Sequence, residues 1–163
     1  INNYYFYRYN YILCSCCLFT VIISLMTITS NYSNVDVRVS RLISDFKNWT
    51  KNIKKFIKYS NEVTVFIKPI ELKTTLGRVN YIEKTIEIDP RFTLIQLRKT
   101  LIHELVHYEQ YRDNRLQIKN NIWLWEGKQY DNTLNYESYK ELPWEREARK
   151  RTKKIVNKLF NIY

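Results

Sequence analysis

Between residues 36 and 60 apolar side chains return every three or four positions: Val39, Leu42, Ile43, Phe46, Trp49, Ile53, Phe56 and Ile57, with lysines between them. That period predicts an amphipathic helix. Residues 62–68 change to a period of two, with Val63, Val65 and Ile67 on one face, which predicts a strand. Gly77 then predicts a turn. Alternation through Val79, Tyr81, Ile86 and Ile88 predicts one strand or a tight hairpin from Arg78 to Asp89, closed by Pro90. Thr93 is placed to cap a long helix from about Leu94 to Arg112. Its stripe is Leu94, Leu97, Leu101, Leu105 and Tyr108, with Ile95, Ile102 and Val106 beside it. Residues 116–139 mix polar and aromatic side chains and predict short strands or a long functional loop. Leu142-Pro143 opens a last helix to about Asn161, with proline in its first turn and Glu145 and Glu147 near its positive end. No repeat and no linker divides residues 31–163, which read as one α+β domain.

Residues 11–29 break this pattern, because they carry no charge at all. The run is long enough to span a bilayer as a helix, and the tyrosines at 4, 5, 7, 9 and 11 would suit an interfacial belt. The chain opens on Ile1, and its one methionine is Met26. Two readings of residues 1–30 therefore stand side by side. Either they hold a membrane helix, or translation starts at Met26 and residues 1–25 are upstream sequence. Only Arg8 is charged before the apolar run, whereas Arg38, Arg41, Lys47, Lys51, Lys54, Lys55 and Lys58 follow it. The excess of positive charge puts the body of the protein on the cytoplasmic side in either case.

The chain has 163 residues, with 27 Lys and Arg against 16 Asp and Glu and a formal charge of +11. That excess favours anionic partners. A composition rich in Lys, Asn, Ile and Tyr and poor in Gly also follows from AT-rich coding. Two Gly, three Pro and 15% aromatic residues exclude collagen-like and most disordered classes. The cysteines Cys14, Cys16 and Cys17 sit together, so the rest of the chain has neither a disulfide framework nor a thiolate metal site.

Candidate chemistry lies in the long helix, at His103-Glu104-Leu105-Val106-His107. Histidines at i and i+4 share one helical face, so both imidazoles can reach one metal ion, and neutral imidazole suits Zn²⁺. Glu104 stands further round the helix, placed to take a proton from a metal-activated water. Chance placement of the only two histidines in this arrangement is on the order of one in a thousand. With no third His, the third ligand must be a carboxylate, or the site has two protein ligands only. On chemistry alone Glu145, Glu147, Glu137, Glu141, Asp113 and Asp131 all qualify. Positions 145 and 147 point to different faces, so at most one of them reaches the metal. For an oxyanion donor the candidates are Tyr130, Tyr136 and Tyr139, with Tyr139 nearest the final helix. Trp123 and Trp125 either line a cleft or form an aromatic cluster over the core.

The HELVH helix, followed by Leu142-Pro143-Trp144-Glu145-Arg146-Glu147-Ala148, resembles small zincin metallopeptidases of phages and bacteria, with ImmA/IrrE-like proteins as relatives in layout. The resemblance spans about Glu62 to Lys158. It implies a zinc-dependent peptidase with one Zn²⁺, Glu104 as general base, and a third ligand that stands directly before Ala on a downstream helix. Here that residue is Glu147, which leaves Glu145 to orient His103 or His107, or to serve as the alternative ligand. The expected fold is zincin-like. A small, partly antiparallel sheet from Glu62–Lys68 and Arg78–Asp89 covers the HExxH helix, and its edge strand is placed to hold an extended peptide. The chain departs from the SprT-like layout, which needs a third His, and from metzincins, because Gln110 and Asn114 stand where Gly and His would be needed. The expected substrate is a peptide or protein: a repressor, another host or phage protein, or a cell-wall peptide. The alternative is a non-catalytic, zinc-stabilised protein that binds nucleic acid through Lys51, Lys54, Lys55 and Lys58 and the basic run from Arg146 to Lys158.

Overall fold

The computed structural model of the protein describes residues 19–23, 26–30, 37–58, 63–71, 75–120, 122–131 and 135–160. It is an α+β arrangement of two sheets and four helices among those residues. The larger sheet has five strands in the order β1-β2-β3-β5-β4. These are β1 (Phe19–Ile23), β2 (Met26–Ser30), β3 (Thr64–Ile67), β4 (Gly77–Asn80) and β5 (Thr85–Ile88). β2, β3 and β5 run parallel, while β1 and β4 are antiparallel to their neighbours, so the sheet is partly antiparallel as expected.

The described half of the apolar run departs from the expected membrane helix: residues 19–23 and 26–30 are strands, and β2 joins the sheet beside β3 with Ile28 opposite Val65. Thr20, Val21, Ile22, Ile23, Thr27, Ile28 and Thr29 are β-branched, which favours a pleated strand over a helix. Hydropathy registers only that such a run is apolar. Among the described residues no helix is long and apolar enough to cross a membrane. The early tyrosines and the three cysteines lie outside the described residues.

Helix α1 (Val37–Ile53) is shorter than the pattern predicted. The chain leaves it through a turn in which Phe56 and Ile57 amides both donate to the Ile53 carbonyl. Side chains from two later helices satisfy the backbone beyond: Arg151 Nη2 donates to Phe56 O at 2.8 Å, Arg112 to Lys58 O, and Lys58 N donates to Glu109 Oε1 at 2.7 Å. Ile57 is thereby fully buried without being helical.

β4 and β5 form the tight hairpin, turning through Tyr81–Lys84 with Lys84 at φ 54°. Gly77 is not in a turn but is the first residue of β4. A Cβ there would lie 2.5 Å from Thr100 Cγ2, 3.1 Å from the Glu87 carbonyl oxygen and 3.2 Å from Glu104 Cγ. The glycine thus lets strand and helix approach closely. Gly77→Ala is expected to cost about 1–3 kcal/mol through overpacking, read as a lower urea midpoint at unchanged slope.

Helix α2 (Leu94–Arg112) starts at a capping box, in which Thr93 accepts from Gln96 N and donates its own amide to Gln96 Oε1. It packs against β4 and β5 on one side and α1 and α4 (Pro143–Phe160) on the other. Burial therefore spreads round α2 beyond its leucine stripe and takes in Glu104, His107 and Gln110. The main core joins Leu42, Val65, Ile86, Leu101, Leu105, Ala148 and Ile155.

The described residues between 116 and 130 form short strands rather than a loop: an antiparallel meander of β6 (Leu116–Lys119), β7 (Ile122–Trp125) and β8 (Lys128–Tyr130). Glu126 and Gly127, at φ 48° and 81°, make the two-residue turn with both positive φ values that a tight hairpin favours. A short helix, α3 (Tyr136–Lys140), leads into α4. The meander packs on a second core of Leu116, Trp125, Leu142 and Trp144. Trp123 and Trp125 belong to that cluster rather than to a cleft wall, with Trp123 stacked on Trp144 at 5.5 Å.

Candidate metal centre

Along α2, His103, His107, Gln110 and Tyr111 share one face, at spacings of four, three and one. The His103 and His107 rings meet edge-on at 87°, with their Nε2 atoms 3.0 Å apart. A third donor arrives from the start of α4: Glu145 Oε1 is 3.0 Å from His107 Nε2, and Oε2 is 3.4 Å from His103 Nε2. Among the described residues His103, His107 and Glu145 are the group whose ligand atoms are close enough to bind one metal ion.

This arrangement reverses the expected ranking of the two glutamates. Glu147 turns away, and its carboxylate takes both Nη1 and Nη2 of Arg115, at 2.9 and 2.6 Å, and Arg151 at 3.3 Å. The two positions are about 200° apart round the helix. Which of them faces α2 is set by the packing of α4, whose buried positions are Trp144, Glu145, Ala148, Thr152, Ile155 and Val156. Glu145 lies on the buried stripe 145-148-152-155, and Glu147 does not. The spacing of Ala148, Thr152 and Ile155 is the signal in the sequence that groups position 145 with them, although it does not say what that face meets. Trp144, fully buried among Trp123, Trp125 and Tyr130, anchors the helix start next to Glu145.

The other carboxylates lie elsewhere. Glu137 pairs with Lys140, Glu141 with Arg149, and Asp113 with Arg112, while Asp131 is exposed beyond β8. Of the three tyrosines, Tyr136 is exposed and Tyr130 stands edge-on to Trp144. Only Tyr139 comes to the site, where its hydroxyl is hydrogen-bonded to Glu145. Burial first, then the Glu145 charge, pushes this phenol far above its ordinary range. Tyr111, which the sequence reading did not single out, shares the site: burial and the charges of Glu104 and Glu145 raise its hydroxyl, and its ring stacks on Tyr81 at 5.9 Å.

Electrostatics divide the carboxylates. Burial pushes Glu104 above the usual carboxylate range, even against the pull of His103 and His107. Burial would raise Glu145 as well, but hydrogen bonds from His103 and His107 outweigh it and hold the carboxyl far below that range. For His107 burial favours the neutral form, yet Glu145 carries its pKa above the ordinary value. One buried carboxyl thus has raised proton affinity beside another held ionised, a pattern that marks functional sites. No protein-family model, no curated protein and no solved structure matches the chain.

Glu147 keeps a structural role, tying the meander to α4 through Arg115, which also bonds Glu126 and lies over the Trp125 ring at 4.5 Å. Burial would raise the Glu147 carboxyl, but Arg115 and Arg151 hold it below 4.5. Its folded pKa is lower than its unfolded one, so the pair's stability is present above about pH 4.5 and is lost as pH falls through the folded value. Glu147→Gln is expected to cost about 1 kcal/mol at neutral pH and to flatten the acid limb of the stability curve. Urea unfolding from pH 7 down to 3 reads both effects, and an unchanged acid limb would refute the pairing.

Proposed function

We propose that this protein is a zincin-like zinc metallopeptidase, with His103, His107 and Glu145 as the protein ligands. The observation that carries the reading is the convergence of two imidazole Nε2 atoms and one carboxylate at 3.0, 3.0 and 3.4 Å. Donors about 2.0–2.1 Å from a tetrahedral zinc ion lie about 3.3 Å from one another, so the donor set fits in spacing and in chemistry. Three protein ligands among the described residues, rather than the four of a closed structural site, favour catalysis over the alternative of a zinc-stabilised nucleic-acid-binding protein.

Bound there, zinc would lower the pKa of a water molecule and polarise a substrate carbonyl. The chain's own residues do the rest. Glu104, a buried carboxylate with raised proton affinity, accepts the proton of the attacking water and passes it to the leaving amine. Glu145 stays ionised and holds its position through Tyr139. To serve a developing oxyanion, the Tyr139 hydroxyl would turn its single proton away from Glu145. Strand β4, last in the order of the larger sheet among the described residues, begins at Gly77 against Glu104, and an extended peptide could lie along it.

The test is a comparison of new peptide termini in a proteome digest treated with zinc-loaded protein or with chelated protein. Cleavages that vanish on chelation and return with added Zn²⁺ are expected. An identical set of termini in both samples would remove the peptidase reading.

A further inference from the structure

Gln110 is fully buried between the two helices that supply the metal ligands. Its Oε1 is 2.8 Å from His107 Nδ1, and its Nε2 is 3.1 Å from the carbonyl oxygen of Trp144, the residue before Glu145. The direction of this chain of hydrogen bonds is forced. A backbone carbonyl can only accept, so the amide NH₂ of Gln110 must face Trp144. The amide oxygen then faces His107, so Nδ1 must carry the proton. Nε2 then donates to Glu145 Oε1 while the ring is protonated, and in the neutral ring it is left with its lone pair, aimed at the point where His103 Nε2 and Glu145 converge.

Building on the metal-centre reading, we propose that Gln110 is a positioning residue that sets His107 in its metal-ready tautomer and ties that ring to the helix carrying Glu145. The two halves of the centre lie on separate helices, and this one amide bonds a ligand on the first and the backbone beside a ligand on the second. The face of α2 that presents the histidines thus also carries the group that orients one of them, at i+3 from His107. Without that acceptor Glu145 Oε1, 3.0 Å from Nε2, would draw the ring toward the Nε2–H form, which cannot bind a metal through Nε2.

The experiment uses the full chain, metal-free and ¹⁵N-labelled, at alkaline pH, where the tautomer of a neutral imidazole is read. Two-bond ¹H–¹⁵N correlations distinguish Nδ1–H from Nε2–H in a protein with only two His. Wild type is expected to show His107 as Nδ1–H. Gln110→Met, similar in size but without the amide, is expected to mix the tautomers and to weaken Zn²⁺ binding by about 10–100-fold in competition with a chromophoric chelator. Gln110→Glu can still accept from Nδ1–H and is expected to keep the tautomer. A wild-type Nε2–H tautomer overturns the proposal, as does Gln110→Met with unchanged tautomer and zinc affinity within about twofold. If Gln110→Met does not fold, Gln110→Glu decides: retention of Nδ1–H supports the proposal and its loss overturns it. Wild type that shows Nδ1–H yet binds no Zn²⁺ refutes the metal reading and leaves the tautomer assignment standing.

Discussion

Glu145→Ala is expected to lose Zn²⁺, and Glu147→Ala to keep it. The Glu145 carboxylate lies 3.0 and 3.4 Å from the two imidazole nitrogens, whereas that of Glu147 is engaged by Arg115 at 2.6 Å. Removing a direct ligand should weaken binding by more than about 100-fold, beyond the scale of losing a group that only orients one. His103→Ala and His107→Ala should do the same. Glu147→Ala should cost stability, through the freed Arg115, but leave affinity near that of wild type. Zinc content after gel filtration, together with chelator competition, reads all four variants. Zinc retained in Glu145→Ala and lost in Glu147→Ala would overturn the ligand assignment while leaving the histidine pair intact.

Glu104→Gln is expected to bind Zn²⁺ as wild type does and to lose peptide hydrolysis by a factor of about 10²–10⁴ or more. The side chain is buried against β4, where a Cβ at Gly77 would already stand 3.2 Å from its Cγ, so an amide of the same shape keeps the packing. What changes is proton affinity: burial raises that of the carboxyl, and an amide has no basic oxygen to receive a proton from water. Because the three ligands are untouched, kcat should fall while zinc content does not. Normal turnover in this variant would mean that another group takes the proton.

The parts of this protein that could be read along the chain are those decided within a few residues. The His103–His107 pair needs only one helical turn, and the capped start at Thr93, the β4–β5 hairpin and the proline-opened α4 are equally local. Other features depended on partners distant in sequence. Residues 19–23 and 26–30 carry an apolar pattern whether helical or extended, and pairing with one another and, for β2, with β3 makes them strands. Gly77 reads as a turn until the helix it admits is known to cross it. Glu145 and Glu147 carry the same chemistry two residues apart. Trp144 and Ala148 pack inward and rotate α4 so that one glutamate meets the histidines and the other meets Arg115. By itself the sequence determined that two imidazoles share a helical face with a glutamate between them. Only the tertiary structure decided which carboxylate completes the group, because rotation of α4 about its axis is set by the summed burial of its whole apolar stripe and not by any motif within it.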